Sequence, residues 1–163
     1  MKTALVFSDS HGNTTVLRRL ADVARETDYI IFCGDGLSDL NVFPNDVRAK
    51  TIAVAGNCDF TLDRDMDEKV VEIEKTKIYV THGHKFDTKG GTDRVLARAK
   101  ELGCTVAFYG HTHEQKEEVV DGVTLFCPGT IQRFSKVKTY AYIVFYDDKM
   151  ITKVMSNELL NDY

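Results

Sequence analysis

The chain has 163 residues, 43% of them hydrophobic and 28% charged, which suits one packed core in an ordinary globular protein. Its formal net charge of −4, with no basic cluster, indicates no nucleic-acid partner, and no apolar run reaches membrane-spanning length. The four cysteines (Cys33, Cys58, Cys104, Cys127) lack a C-x-x-C pair, and the N-terminus lacks a signal-peptide apolar region, so a reduced, cytoplasmic protein is expected.

Thr3–Phe7 is a short apolar run of strand type, followed by Ser8-Asp9-Ser10-His11-Gly12-Asn13. Thr14–Glu26 puts Val16, Leu17, Leu20, Val23 and Ala24 on one face, which predicts an amphipathic helix with Asn13 as its N-cap. Tyr29–Cys33 and Thr51–Ala55 read as buried strands, the first leading into Gly34-Asp35-Gly36 and the second into Gly56-Asn57-Cys58-Asp59. The strand–helix–strand order predicts an α/β fold with parallel pairing in this half. Asp63-Arg64-Asp65-Met66-Asp67 imitates the start of a calcium loop, with Glu74 at the twelfth position. Glu68, however, stands where such a loop needs glycine, so the stretch reads as a solvated acidic turn.

Val70–Ile73 and Lys77–Thr81 form a predicted hairpin, the second strand running into His82-Gly83-His84. Thr92–Leu102 reads as a helix closed by Gly103, and Thr105–Tyr109 as a buried strand ending in Gly110-His111-Thr112-His113. Two more hairpins turn at Asp121-Gly122 and Asp147-Asp148-Lys149, joining Glu117–Val120 to Val123–Cys127 and Tyr140–Tyr146 to Met150–Met155. The tail after Ser156 is left unassigned. No repeat or linker divides the chain, so one domain over 1–163 with mixed sheets is expected.

Five predicted strands thus end in Asp, Asn or His, four of them beside glycine, and all five histidines lie in these segments. Scattered histidines are ordinary surface or core residues; five confined to strand ends point to a shared site. Imidazole nitrogens with carboxylate and amide oxygens suit Mn²⁺, Fe or Zn²⁺ in an open site, not a cysteine-rich structural zinc site. About seven candidate ligands are too many for one ion and suit two ions about 4 Å apart, the usual arrangement for in-line displacement at phosphorus.

The set Asp9-x-His11, Gly34-Asp35, Gly56-Asn57, His82-Gly83-His84 and Gly110-His111-x-His113 resembles, in order, the motifs of the calcineurin-like metallophosphoesterases, most of all their compact prokaryotic phosphodiesterases. The resemblance covers residues 9 to 113. It implies a four-layer α/β/β/α sandwich with two mixed sheets and the site at the strand ends. It further implies Asp9, His11 and His113 on a first metal, Asn57, His82 and His111 on a second, and Asp35 bridging. His84 would face the substrate phosphate or leaving group, or brace the site. Two divalent ions are expected, Mn²⁺ first, with Fe, Zn²⁺ and Ni²⁺ as alternatives; set against Asp9, Asp35 and a bridging hydroxide for in-line attack, they leave a local charge of about +1 that attracts an anionic phosphodiester.

Two departures from the family pattern stand out. Many members have His directly after Gly-Asn, assigned to the leaving group; here that residue is Cys58, a poorer proton donor at neutral pH. The compact prokaryotic members share this Cys, so the change predicts selectivity for good leaving groups, not inactivity. Cys127-Pro128-Gly129-Thr130 replaces a common Asn-Pro-Gly-Ser, and Arg133 is a loose match to a following substrate-binding arginine. The rival reading is a metal-binding protein-interaction scaffold of the same fold, as in the small subunit of the retromer coat; competent side chains at all seven ligand positions argue against it. A cysteine hydrolase built on Cys58 would leave the aspartates unexplained, and Ser8 or Ser10 beside His11 lacks a nucleophile elbow. Tyr29, Phe32, Phe108 and Tyr109 read as core. A homo-oligomer paired through the C-terminal strands and tail is a further expectation.

Overall fold

The computed structural model describes residues 1–156. Its strands are β1 (Lys2–Phe7), β2 (Tyr29–Phe32), β3 (Thr51–Ala53), β4 (Glu68–Ile73), β5 (Thr76–Thr81), β6 (Val106–Phe108), β7 (Lys116–Val120), β8 (Val123–Cys127), β9 (Thr139–Tyr146) and β10 (Lys149–Ser156). Its α-helices are α1 (Thr14–Glu26), α2 (Asn45–Arg48) and α3 (Asp93–Glu101). One five-stranded sheet has the order β10-β9-β1-β2-β3 and the other β4-β5-β6-β8-β7. In the first, β1 and β3 run parallel to β2 while β9 and β10 pair antiparallel. In the second, β5, β6 and β8 are parallel and the edge strands β4 and β7 antiparallel.

Alternating side chains of one strand serve different layers, as a period of two requires. Leu5 and Phe7 of β1 meet Val16, Leu17, Leu20 and Ala24 of α1, whereas Ala4 and Val6 face inward against Ile78, Val80, Phe108 and Phe126 of the second sheet. On the far side Tyr79, Ala107 and Leu125 pack under Val95, Leu96 and Ala99 of α3. The order is α/β/β/α, as the resemblance implies.

The expected helices and hairpins are present, with ends shifted by one or two residues. Asn13 precedes α1 but its side chain does not cap it; the amide donates instead to Ile131 O at 2.8 Å, tying the first loop to the last. Three elements have no counterpart in the expectations: 3₁₀ segments over Leu37–Val42 and His84–Phe86 and the single-turn α2. The imitation calcium loop is an exposed 3₁₀ turn in which Asp63 accepts the Asp65 N–H. The unassigned tail lies outside the described residues. Among the described residues, no helix is long and apolar enough to cross a membrane.

Candidate metal centre

The C-terminal ends of β1, β2 and β3 from one sheet and of β5 and β6 from the other converge on one rim, and all seven candidate ligands sit in the loops that leave them. Five of the seven are left-handed: φ is 54° at Asp9, 42° at His11, 61° at Asp35, 72° at His111 and 62° at His113. Non-glycine residues adopt this conformation rarely and at a cost, and its concentration at one rim is typical of a functional site. The glycines there serve close approach: a Cβ on Gly56 would strike the Asp35 carboxylate, and one on Gly110 would strike Ser8 Oγ and Asp9.

Six of the seven candidates fall into two groups, Asp9, His11 and His113 in one and Asp35, His82 and His111 in the other, with one ligand atom from each residue within 4.8 Å of the others in its group. Asp9 Oδ1 lies 3.1 Å from His113 Nε2 and 3.5 Å from His11 Nε2, and the two imidazole nitrogens are 3.3 Å apart. His11 Nε2 is also 3.6 Å from Asp35 Oδ2, so Asp35 stands between the groups. His82 is fully buried: its Nδ1 contacts Cys33 O at 2.7 Å, while its Nε2 lies 3.2 Å from Asp35 Oδ2 without a hydrogen bond. A buried imidazole held at Nδ1 by a carbonyl, with Nε2 partnerless beside a carboxylate, fits a metal ligand. The donor set of nitrogen and oxygen atoms likewise fits divalent transition ions.

Electrostatics follow this geometry. Burial opposes ionisation of Asp9, but hydrogen bonds from His11 and His113, with His82 and Ser8, outweigh it and hold the carboxyl below its usual range. Asp35 is lowered against the effect of its burial by His82 and the Cys58 N–H. The aspartates in turn raise His11, chiefly through its contact with Asp9, and raise His82 despite its burial. The rim therefore favours added positive charge, which divalent ions provide. Burial, then the charge on His82, lowers both His84 and His111.

The remaining predicted residues fall at the same rim. Asn57 and Cys58 are exposed; the Asn57 amide donates to Cys58 Sγ at 3.6 Å, and the Cys58 N–H donates to Asp35 Oδ1 at 2.8 Å. Burial and then the charge of Asp35 push the Cys58 thiol up. His84 stands with its ring 5.3 Å from that of His82, its Nδ1 buried without a partner. Arg133 is exposed and, with His11, Gln132 and Phe134, lines a cavity of about 330 Å³.

Other residues support the ligands. Asp59 accepts the N–H groups of Asp35, Gly36, Leu37 and Gly56 at 2.8 to 3.0 Å, so one carboxylate fastens the β2 loop to the β3 loop. Asp39 accepts Ser10 Oγ at 2.6 Å and the Gly12 N–H at 2.8 Å, Thr130 Oγ1 donates to Asp9 O, and the Gln132 amide lies 3.1 Å from His113 Nδ1. Asp59 is visible in sequence through its neighbours, and Thr130 through Pro128-Gly129; Asp39 and Gln132 carry no such signal.

The family model of the calcineurin-like phosphoesterase superfamily domain matches residues 1–149. The chain belongs to that superfamily. It is 36% identical over 147 residues to the probable metallophosphoesterase YsnB of Bacillus subtilis, covering 88% of this chain and 85% of that protein. Phosphodiesterase MJ0936 of Methanocaldococcus jannaschii is 31% identical over 142 residues, covering 76% and 81%. Among solved structures, a predicted phosphoesterase of Streptococcus pneumoniae aligns with a TM-score of 0.77 at 24% identity, over 96% of this chain and 98% of that one. Vps29 of Entamoeba histolytica, complexed with Zn²⁺, aligns at 0.71 and 18% identity, over 96% and 99%. These two likenesses speak to the fold alone; the family match and the named relatives make this chain a phosphoesterase.

Proposed function

We propose that the chain is a metal-dependent phosphodiesterase with a dinuclear centre, its ions held by Asp9, His11 and His113 on one side, by Asn57, His82 and His111 on the other, and by Asp35 between them. When bound, two divalent ions, Mn²⁺ by preference with Fe, Zn²⁺ or Ni²⁺ as alternatives, would supply a water of lowered pKa as nucleophile and neutralise charge on the phosphoryl oxygens. The observation that carries this reading is buried His82, its Nδ1 held by Cys33 O, presenting Nε2 to Asp35 Oδ2 at 3.2 Å with no hydrogen bond between them, an arrangement that a shared cation would complete.

The chain's own groups orient the substrate. His84, beside His82 and His111, offers a hydrogen bond to the phosphoryl group or the departing oxygen. Asn57 contributes a neutral donor that leaves the centre cationic, and Arg133, which lines a cavity with His11, offers a positive charge to an anionic substrate. Cys58 takes the place of a stronger proton donor, so the reading favours diesters whose leaving group departs unaided. The test is hydrolysis of an aryl phosphodiester and an aryl phosphomonoester by metal-stripped protein with Mn²⁺ restored. Diester turnover should appear with the metal and vanish in Asp35→Asn. No turnover with any divalent ion would favour the scaffold reading, which draws on the fold likeness to Vps29.

A further inference from the structure

Cys58 stands in an unexpected relation to the ligands. Its sulfur, one Asp35 oxygen and one His11 nitrogen lie within 4.8 Å of one another, the same closeness that the two principal ligand groups keep. Metal–sulfur and metal–nitrogen bonds of about 2.3 and 2.1 Å put two donors on one ion up to about 4.4 Å apart, so a small side-chain adjustment brings the sulfur onto the ion that His11 and Asp35 share. The Cys58 N–H bonded to Asp35 Oδ1 holds this backbone against the carboxylate, and Cys58 is exposed whereas Cys33, Cys104 and Cys127 are buried. Asn57 was expected on the second ion; its neighbour turns toward the first.

Resting on the metal-site reading above, we infer that Cys58 is an ion-selective ligand: thiophilic ions such as Zn²⁺, Co²⁺ and Cd²⁺ recruit its sulfur, and Mn²⁺ does not. Thiolate is a soft donor that suits the former, while Mn²⁺ keeps to oxygen and nitrogen. The step is an exchange in which the metal–sulfur bond forms as the S–H proton passes to solvent, with no change of oxidation state. With sulfur added to its donors, a thiophilic ion would bind more tightly than the nitrogen and oxygen donors alone allow.

The test reads binding, not hydrolysis, so it stands apart from the phosphodiesterase assay. Metal-stripped protein in a non-thiol reductant is titrated with Co²⁺ and with Cd²⁺ while near-ultraviolet absorbance is followed. A saturating sulfur-to-metal charge-transfer band is expected, absent in both Cys58→Ser and Cys58→Ala. In these variants Cd²⁺ affinity should fall roughly tenfold or more, with Mn²⁺ affinity changed by less than about twofold. Retained Mn²⁺ binding also shows that the variants fold. No band in the native chain, a band that survives in the variants, or an equal loss of Mn²⁺ affinity overturns the inference.

Discussion

Asp59 belongs to neither ligand group, yet four backbone N–H groups from two loops end on its carboxylate. Asp59→Ala would orphan them together, and solvent at this part-buried position would satisfy only some. The expected cost is about 2–4 kcal/mol in urea unfolding, with metal affinity reduced roughly 10–100-fold because Asp35 loses its frame. An unchanged affinity by calorimetric titration would show that Asp35 is held by its other contacts. Gly56→Ala should have a similar effect by another route, since its methyl would occupy the place of the Asp35 carboxylate. At this scale the candidate ligands are legible because histidine, aspartate and glycine recur at strand ends. Asp39 and Gln132 are not, because what makes them useful is a partner far away in the chain, Ser10 and His113 respectively.

Strands and helices with strong periodicity are legible in the sequence to within a residue or two, and α1 at both of its ends. The 3₁₀ segment at Leu37–Val42 and α2 escaped because neither carries a pattern of its own. Their conformation is imposed by tertiary contacts, such as the Leu37 N–H on Asp59 and buried Val47. The early start of β4 has a similar cause. Glu68 meets Arg98 of α3 through two contacts, at 2.5 and 3.2 Å, and accepts Tyr79 OH at 2.6 Å, so a polar residue at a strand end pins α3 to the sheet. Arg98, with Tyr79 adding to it against burial, lowers the Glu68 carboxyl. A lowered carboxyl stabilises the fold above the ordinary glutamate range and loses that contribution as pH falls through it. Glu68→Gln should therefore cost about 1 kcal/mol at pH 7, with the deficit against the native chain narrowing between about pH 5 and 3 in urea titrations. A deficit that does not narrow would assign the loss to packing alone.

Over the whole molecule, each proposed ion draws on both sheets: Asp9 and His11 with His113, and Asn57 with His82 and His111. Binding then stabilises the sandwich as well as the loops. At free metal about 100 times the dissociation constant, linkage gives about 2.7 kcal/mol, which for a chain of this size raises Tm by roughly 5–10 °C. Calorimetry with Mn²⁺ and with chelator should show that difference, and His82→Ala should reduce it sharply.

The same straddling makes the centre a caliper for the gap between the sheets. Jaws mounted on separate arms lose their setting when the arms slide, even if neither jaw is touched. Phe126→Leu, in the layer between the sheets, should therefore weaken Mn²⁺ binding more than Leu20→Val, on the buried face of α1 in the outer layer, when the two are matched in unfolding free energy. Equal affinities would mean that the loops hold their spacing without help from the sandwich. Otherwise, substitutions accumulating in the middle layer of such a fold would retune its metal chemistry while every ligand stayed in place.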